Sequence, residues 1–338
     1  MSTVRVAVVG YGYWGPNLVR NFSEIEGARV VAVCDLQDER LALVHRRYPG
    51  VRITRDANTL LADPAIDAVA IATPVSSHFD LVRGALDQGK HVLVEKPLAN
   101  SSEECLRLLE LAHARQLTLM VDHTFIYTSA VQKMKEIMDS GELGHIYYFD
   151  SVRTNLGLFQ TDVNVIWDLA PHDLSIILFL LKRMPRAVFA IGASHINELE
   201  DIAYLNLLFD DNVIAHVNVN WLAPVKIRRI VLSGSQKMIV YDDMEASEKV
   251  KVYDKGVNLV SQPQDIYRML VQYRMGSMYS PPIQNTEALR SGCEHFVECV
   301  TQGKEPLTSG EFGWRVVQLL EAADRSMKQY GVLQEIGS

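Results

Sequence analysis

Residues 4–22 read VRVAVVGYGYWGPNLVRNF. Apart from Arg5 the opening run is small and β-branched, the composition of a strand covered on both faces. From Pro16 onward the apolar residues fall at helical spacing. Between the two lie Gly10, Gly12 and Gly15, a G-x-G-x-x-G pattern that means little alone but gains force directly after a strand and directly before a helix. There the first glycine permits a tight turn, the second lets a pyrophosphate approach the backbone, and the third lets helix and strand pack closely. Pro16 stands where a missing N–H costs nothing, and the positive end of the helix faces the phosphates. Tyr13 and Trp14, between the second and third glycines, join Gly10, Gly12 and Gly15 as candidate cofactor contacts.

Working outward, the first 120 or so residues keep a beat of short apolar runs and amphipathic segments. VRVAVVG, RVVAVCD, AIDAVAIATP, HVLVEKP and LTLMVDH read as strands; residues 16–26, 38–48, 77–88 and 101–115 read as helices, the last opened by a Ser-Ser-Glu-Glu capping box. Such alternation predicts a doubly wound parallel sheet. Asp35 ends the second strand twenty residues past Gly15, where a carboxylate accepts both ribose hydroxyls and repels a 2′-phosphate. That favours NAD over NADP, although Arg40, Arg46 or Arg47 could still admit some NADP.

Near Phe125 the rhythm changes. HIYYFDSVRT, RAVFAIGASHI, AYLNLLF, NVIAHVNVNWL, KIRRIVLSG, KMIVYDD and KVKVYD alternate with period two and are separated by turn residues, which predicts a large open antiparallel sheet in a second, α+β domain. The expected division is 1–122 for the dinucleotide domain and 123–338 for substrate binding and oligomerisation. The last helices, about 310–330, are free to pack back on the first domain. Residues 259–282, rich in Met, Tyr and Gln, read as a mobile or intersubunit loop.

The 338 residues are 48% hydrophobic and 22% charged, ordinary for a globular chain with a sizeable core. A net charge of −8 without a dense basic run argues against nucleic acid or an anionic membrane as partner. The longest apolar run, residues 174–181, falls far short of the roughly 20 residues a membrane span needs, and the amino terminus has no secretory pattern. A cytoplasmic location is expected. Cys34, Cys105, Cys293 and Cys299 lack metal-ligand spacing, so neither a zinc site nor a disulfide framework is expected.

Two further stretches carry chemistry. VEKP, residues 94–97, places Glu95 and Lys96 at the carboxyl edge of the parallel sheet, where ligands of open α/β folds collect. WDLAPHD, residues 167–173, sets Asp168 and His172 one helical turn apart, close enough for the carboxylate to orient the ring. That arrangement builds a general base, and equally satisfies a buried histidine.

The glycine turn, Asp35, the ATP at 72–74, EKP and the D-x-x-x-H of WDLAPHD occur in the order and at the separations of the glucose-fructose oxidoreductase, inositol dehydrogenase and MocA family, which the whole chain resembles. GYGYWGPNLVRNF, DHTFIYTSAVQKMKEI, RTNLG and WDLAPHD are similar to the branch that oxidises nucleotide-linked sugars, UDP-N-acetylglucosamine or its uronic acid, at C3. The resemblance implies that Lys96 stands beside the nicotinamide and that Asp168 and His172 stand next to the sugar. It places Thr73, Pro74, His78 and Glu95 around the adenosine and nicotinamide ribose, and makes Arg153 and Asn155, on the first strand of the sheet domain facing the interdomain cleft, candidate substrate contacts. Pro171 departs from the small residue many members carry before the histidine.

In that scheme His172, aimed by Asp168, takes a proton from a sugar hydroxyl as hydride passes to the nicotinamide, and Lys96 stabilises the alkoxide-like oxygen. No metal is needed. Rival readings are a TDP-sugar 3-ketoreductase, an inositol or free-sugar dehydrogenase, and a non-catalytic NAD-sensing regulator; the last has no use for Lys96, Asp168 and His172. His123 is divided between a ligand contact and hinge packing, and His216 belongs to a sheet face. Tyr204 and Trp221 are expected at an interface, since a broad half-buried sheet face implies a homodimer or homotetramer.

Overall fold

In a computed structural model the described residues are 3–157, 159–160, 162–259 and 271–337. They form two compact units, one of residues 1–128 with 286–321 and one of residues 129–285 with 322–338. The segment 286–321 thus counts with the first unit, although a reading along the chain ends that unit at 122.

The first unit runs β1 (Val4–Val9), α1 (Gly15–Glu24), β2 (Ala28–Cys34), α2 (Asp38–Arg47), β3 (Arg52–Thr54), α3 (Ala57–Leu61), β4 (Ala68–Ile71), α4 (His78–Asp87), β5 (His91–Glu95), α5 (Ser102–Arg115) and β6 (Leu119–Asp122). The six strands are parallel in the order β3-β2-β1-β4-β5-β6. This is the doubly wound order, with the reversal beside β1. The central strands are apolar on both faces because helices cover both; every residue of β4 and all but His91 of β5 are buried. One half of the expected capping box is present at α5: Ser101 Oγ accepts from the Glu104 amide at 3.1 Å, while the Glu104 carboxylate accepts from the amide of Asn100, one residue before the cap, at 3.1 Å.

The second unit contains α6 (Ser129–Asp139), β7 (Ile146–Leu156), α7 (Val165–Leu181), β8 (Ala187–Ala193), β9 (Ile202–Leu208), β10 (Ile214–Asn220), β11 (Leu222–Gly234), β12 (Met238–Asp242), β13 (Val250–Leu259) and β14 (Val271–Tyr279). The chain then gives α8 (Ala288–Gln302) to the first unit, divides α9 (Gly310–Lys328) between the two, and ends in β15 (Gln334–Glu335) of the second. Among the described residues the sheet has nine strands, ordered β14-β13-β12-β11-β7-β10-β9-β8-β15. Every neighbouring pair is antiparallel except β7 and β10, which run the same way.

The expected loop at 259–282 is corrected in part. Residues 271–279 form β14, hydrogen-bonded along β13, while 260–270 lie outside the described residues. The hairpin partner decides this: β13 supplies the backbone acceptors and donors, and Asp254 on it accepts from Arg274 at 2.9 Å, so a weak period does not prevent a strand. The four cysteines are buried and free. Among the described residues no helix is long and apolar enough to cross a membrane.

Candidate active site

The glycine turn has the shape of a phosphate cradle. Gly10 adopts φ +94°, and a Cβ there would lie 2.4 Å from the Ala72 carbonyl oxygen; at Gly15 it would lie 2.1 Å from the Gly10 carbonyl oxygen. Any side chain at either position forces strand, turn and helix apart. The α1 N-cap, Trp14, makes no side-chain capping bond, and proline opens the helix. An uncapped positive helix end beneath a turn cleared of side chains fits the phosphates of a dinucleotide. Tyr13 and Trp14 are exposed and pack edge to face, centroids 5.5 Å apart.

Asp35 is buried at the end of β2 and held in place: Oδ2 accepts from the Tyr11 amide at 2.6 Å and from Arg40 at 3.3 Å, and Oδ1 from the Gln37 amide at 2.9 Å. Its position at the end of the strand after the glycine turn suits a ribose, and the Arg40 contact fixes its orientation before any ligand binds. Thr73 is half-buried and accepts from Ser77 Oγ at 2.7 Å, next to the exposed Pro74.

His78 is buried, with Nδ1 2.8 Å from the Pro97 carbonyl oxygen and Nε2 2.9 Å from that of Thr73. The ring therefore ties the ATP segment to the EKP segment. Burial lowers its pKa, the two carbonyls oppose that shift, and the nearby Lys96 charge adds to it. Glu95 is buried at the last position of β5, and Lys96 follows half-buried. Sequence reasoning missed one neighbour: Asp122 ends β6 directly opposite Glu95. Beside it His123, buried against the edge of Phe312, is pushed down to about 3 by burial and by the Lys96 charge. That neutral, dry ring is packing in character.

In the second unit α7 begins with Asn164, whose Oδ1 accepts from the Trp167 amide at 3.3 Å. Asp168 and His172 are half-buried, while Ala170, Pro171, Asp173 and Leu174 between and after them are buried. The carboxylate and the imidazole thus share the accessible stripe of a helix that is otherwise largely buried. Trp221, expected at an interface, is 1% exposed and packs against Phe159; its indole N–H donates to Asp168 Oδ2 at 3.1 Å. The physical reason for this correction is that an indole buried this deeply needs an acceptor, and Asp168 provides one. Tyr204 stays partly exposed, stacked on His216, which in turn lies 3.0 Å from Asn206 Oδ1.

Arg153 is buried on β7 and paired with Asp173: Nε donates to Oδ2 at 2.6 Å and Nη2 to Oδ1 at 3.2 Å, with Ser151 Oγ donating to Oδ1 at 2.6 Å. Asn155, two residues on, is half-buried on the same strand. Sequence reasoning missed Asp173, although a charge opening the apolar run DLSIILFLL requires a buried partner. Among the described residues no cluster of His, Cys, Asp or Glu could hold a metal ion.

Comparisons with known proteins identify the family. Residues 4–123 match the family described as an oxidoreductase family with an NAD-binding Rossmann fold, and residues 131–240 match the GFO/IDH/MocA C-terminal domain. The chain belongs to the GFO/IDH/MocA family. It is an oxidoreductase that uses NAD. Among curated GFO/IDH/MocA relatives, a D-apiose dehydrogenase of Paraburkholderia graminis is 25% identical over 346 residues, covering 96% of this chain and 87% of that protein. A UDP-N-acetylglucosamine 3-dehydrogenase of Acidithiobacillus ferrooxidans is 25% identical over 325 residues, covering 94% and 95%. A solved oxidoreductase structure from Magnetospirillum magnetotacticum MS-1 superposes with a TM-score of 0.82 at 28% identity, covering 95% of this chain and 100% of that one.

Proposed function

We propose that the protein is an NAD-dependent dehydrogenase acting on a secondary hydroxyl of a nucleotide sugar, C3 of UDP-N-acetylglucosamine or its uronic acid. The observation that carries the reading is the stripe on α7, where Asp168 and His172 lie one turn apart on the half-buried face and Trp221 holds the Asp168 carboxylate. A base with an oriented imidazole is what removal of a hydroxyl proton requires. In this reading His172 takes the proton, Asp168 steadies the ring, and the Lys96 ammonium donates to the oxygen as negative charge develops on it. Gly10, Gly12, Tyr13, Trp14 and Gly15 would cradle NAD and Asp35 would hold its ribose, and the bound nicotinamide would be the hydride acceptor. Thr73, Pro74, His78 and Glu95 shape the wall around Lys96. Asn155 is the candidate substrate contact on β7, while Arg153 acts there through its pairing with Asp173.

The A. ferrooxidans relative supports the nucleotide-sugar substrate, but the D-apiose dehydrogenase of equal identity supports a free sugar instead. A screen of UDP- and TDP-sugars, inositol and free aldoses against NAD and NADP, read by absorbance of the reduced nicotinamide, decides between them. UDP alone is expected to raise the melting temperature; turnover of a free sugar with no effect of UDP would transfer the assignment to the second reading. We also propose a homodimer or homotetramer formed through the outer sheet face, where Tyr148, Ile191, Tyr204 and Ile214 are 38–54% exposed.

A further inference from the structure

Glu95 and Asp122 close adjacent parallel strands and face each other in the register. Side chains at paired positions leave a sheet on the same side, so the two carboxyls enter one space. That space is dry: Glu95 is 8% and Asp122 2% exposed. Thr124 Oγ1 donates to Asp122 Oδ1 at 2.9 Å, but Asp122 Oδ2 and Glu95 Oε1 are buried with no hydrogen-bond partner. Two carboxylates so placed cannot both remain ionised, because each loses its hydration and repels the other. One proton between them removes the repulsion and halves the buried charge.

The groups around the pair are few. The Lys96 amide donates to Glu95, and the Lys96 ammonium acts on the same carboxyl. His123 follows β6 and stays neutral. Tyr127 lies on the turn after β6, its hydroxyl 3.0 Å from that of Thr308, and α8 presents the Cys293 thiol, which burial and the two carboxylates push up. Lys96 is therefore the positive charge that the pair addresses.

We infer that Glu95 and Asp122 share a single proton near neutral pH and so present one negative charge to Lys96, which makes Asp122 a positioning residue for that lysine. The inference rests on the role proposed above for Lys96 and deepens it. With one charge on the pair, the ammonium has a single counter-charge and is left able to donate to a substrate oxygen. Burial pushes Asp122 up to about 6 and, together with Asp122, lifts Glu95 well above the usual carboxylate range. Below about pH 6 the second proton binds, and Lys96 loses its counter-charge.

Infrared spectroscopy of the full-length protein, with and without NAD, tests this. A protonated-carboxyl band is expected near neutral pH in the wild type. It should vanish in Glu95→Gln and, in Asp122→Asn, titrate at a pH lower by about one unit or more, because the repelling charge is gone. Absence of the band from the wild type overturns the inference without recourse to any variant. The companion readout is log kcat against pH. Its acid limb, set in the wild type by the second proton on the pair, should move in Asp122→Asn to the pH at which that variant's infrared band titrates; an unchanged limb would overturn the link to Lys96. Full turnover by Lys96→Ala with the infrared band intact would refute the reading of Lys96 while leaving the shared proton standing, so the two failures are separable.

Discussion

The indole N–H of Trp221 reaches Oδ2 of Asp168 at 3.1 Å, linking the junction of β10 and β11 to the first turn of α7. The Trp221 amide itself donates to the Asp201 carbonyl at 2.9 Å, so the residue is held by both its main chain and its ring. Trp221→Phe keeps most of the buried ring and deletes the donor. Turnover should fall about tenfold, the scale of one hydrogen bond to a charged group, with the KM for NAD unchanged. Steady-state kinetics with a wild-type-like melting curve would establish it; wild-type kcat would mean that Asp168 needs no such support.

The proposed chemistry makes a stronger demand on the reacting side chains. His172→Ala and Lys96→Ala are each expected to lower kcat by roughly two orders of magnitude or more, while fluorescence titration shows NADH binding largely retained. Near wild-type turnover in either variant would count against the scheme.

Asp35 governs cofactor choice. Asp35→Ala removes the ribose acceptor and also frees Arg40, now 3.3 Å from it. The ratio of kcat/KM for NAD over NADP should drop by about tenfold or more, a loss of 1–2 charge-assisted hydrogen bonds. An unaltered ratio would remove Asp35 from the cofactor site.

The Arg153–Asp173 pair is a stability determinant. Breaking it from one side, as in Arg153→Met, leaves a buried carboxylate without its guanidinium and should cost about 3–5 kcal/mol. Replacing both partners, Arg153→Met with Asp173→Leu, should recover much of that loss. Urea unfolding of the two variants measures it, and equal destabilisation by single and double changes would show that the pair is not the cause.

Acid lability should trace in part to His123. Its folded pKa, about 3, lies below the unfolded value of 6.5. The unfolded chain thus binds the proton first, and this group's contribution, complete above 6.5, is lost as pH falls from there toward 3. Glu95 and Asp122, shifted upward, act in the opposite sense, their contribution being complete below the ordinary carboxylate values and lost as pH rises through the folded ones. His123→Phe should flatten the acid side of a plot of melting temperature against pH, and an unchanged slope would exclude the ring as its source.

The parallel sheet is legible in sequence because its strands are continuous apolar runs and its helices carry their own caps, as at Ser101. The antiparallel strands are legible by alternation. β14 is not, since Ser277 and Met278 break the alternation that residues 271–276 begin and its partner β13 does the organising. Among site residues, glycine geometry and the Asp168 to His172 spacing are local properties, and local patterns reveal them. Asp173, Trp221 and Asp122 act across elements: one meets Arg153 on β7, one meets Asp168 on α7, one meets Glu95 on β5. Such pairings depend on which strands become neighbours, and linear spacing carries no record of that.

The lone parallel pair in the second sheet, β7 with β10, has its own consequence. Two strands pointing the same way cannot be joined by a hairpin, so the polypeptide between them must travel back the length of the sheet. α7 is part of that return journey. The segment bearing Asp168 and His172 is therefore no ornament hung on a finished scaffold: strand direction itself obliges the backbone to lay it down.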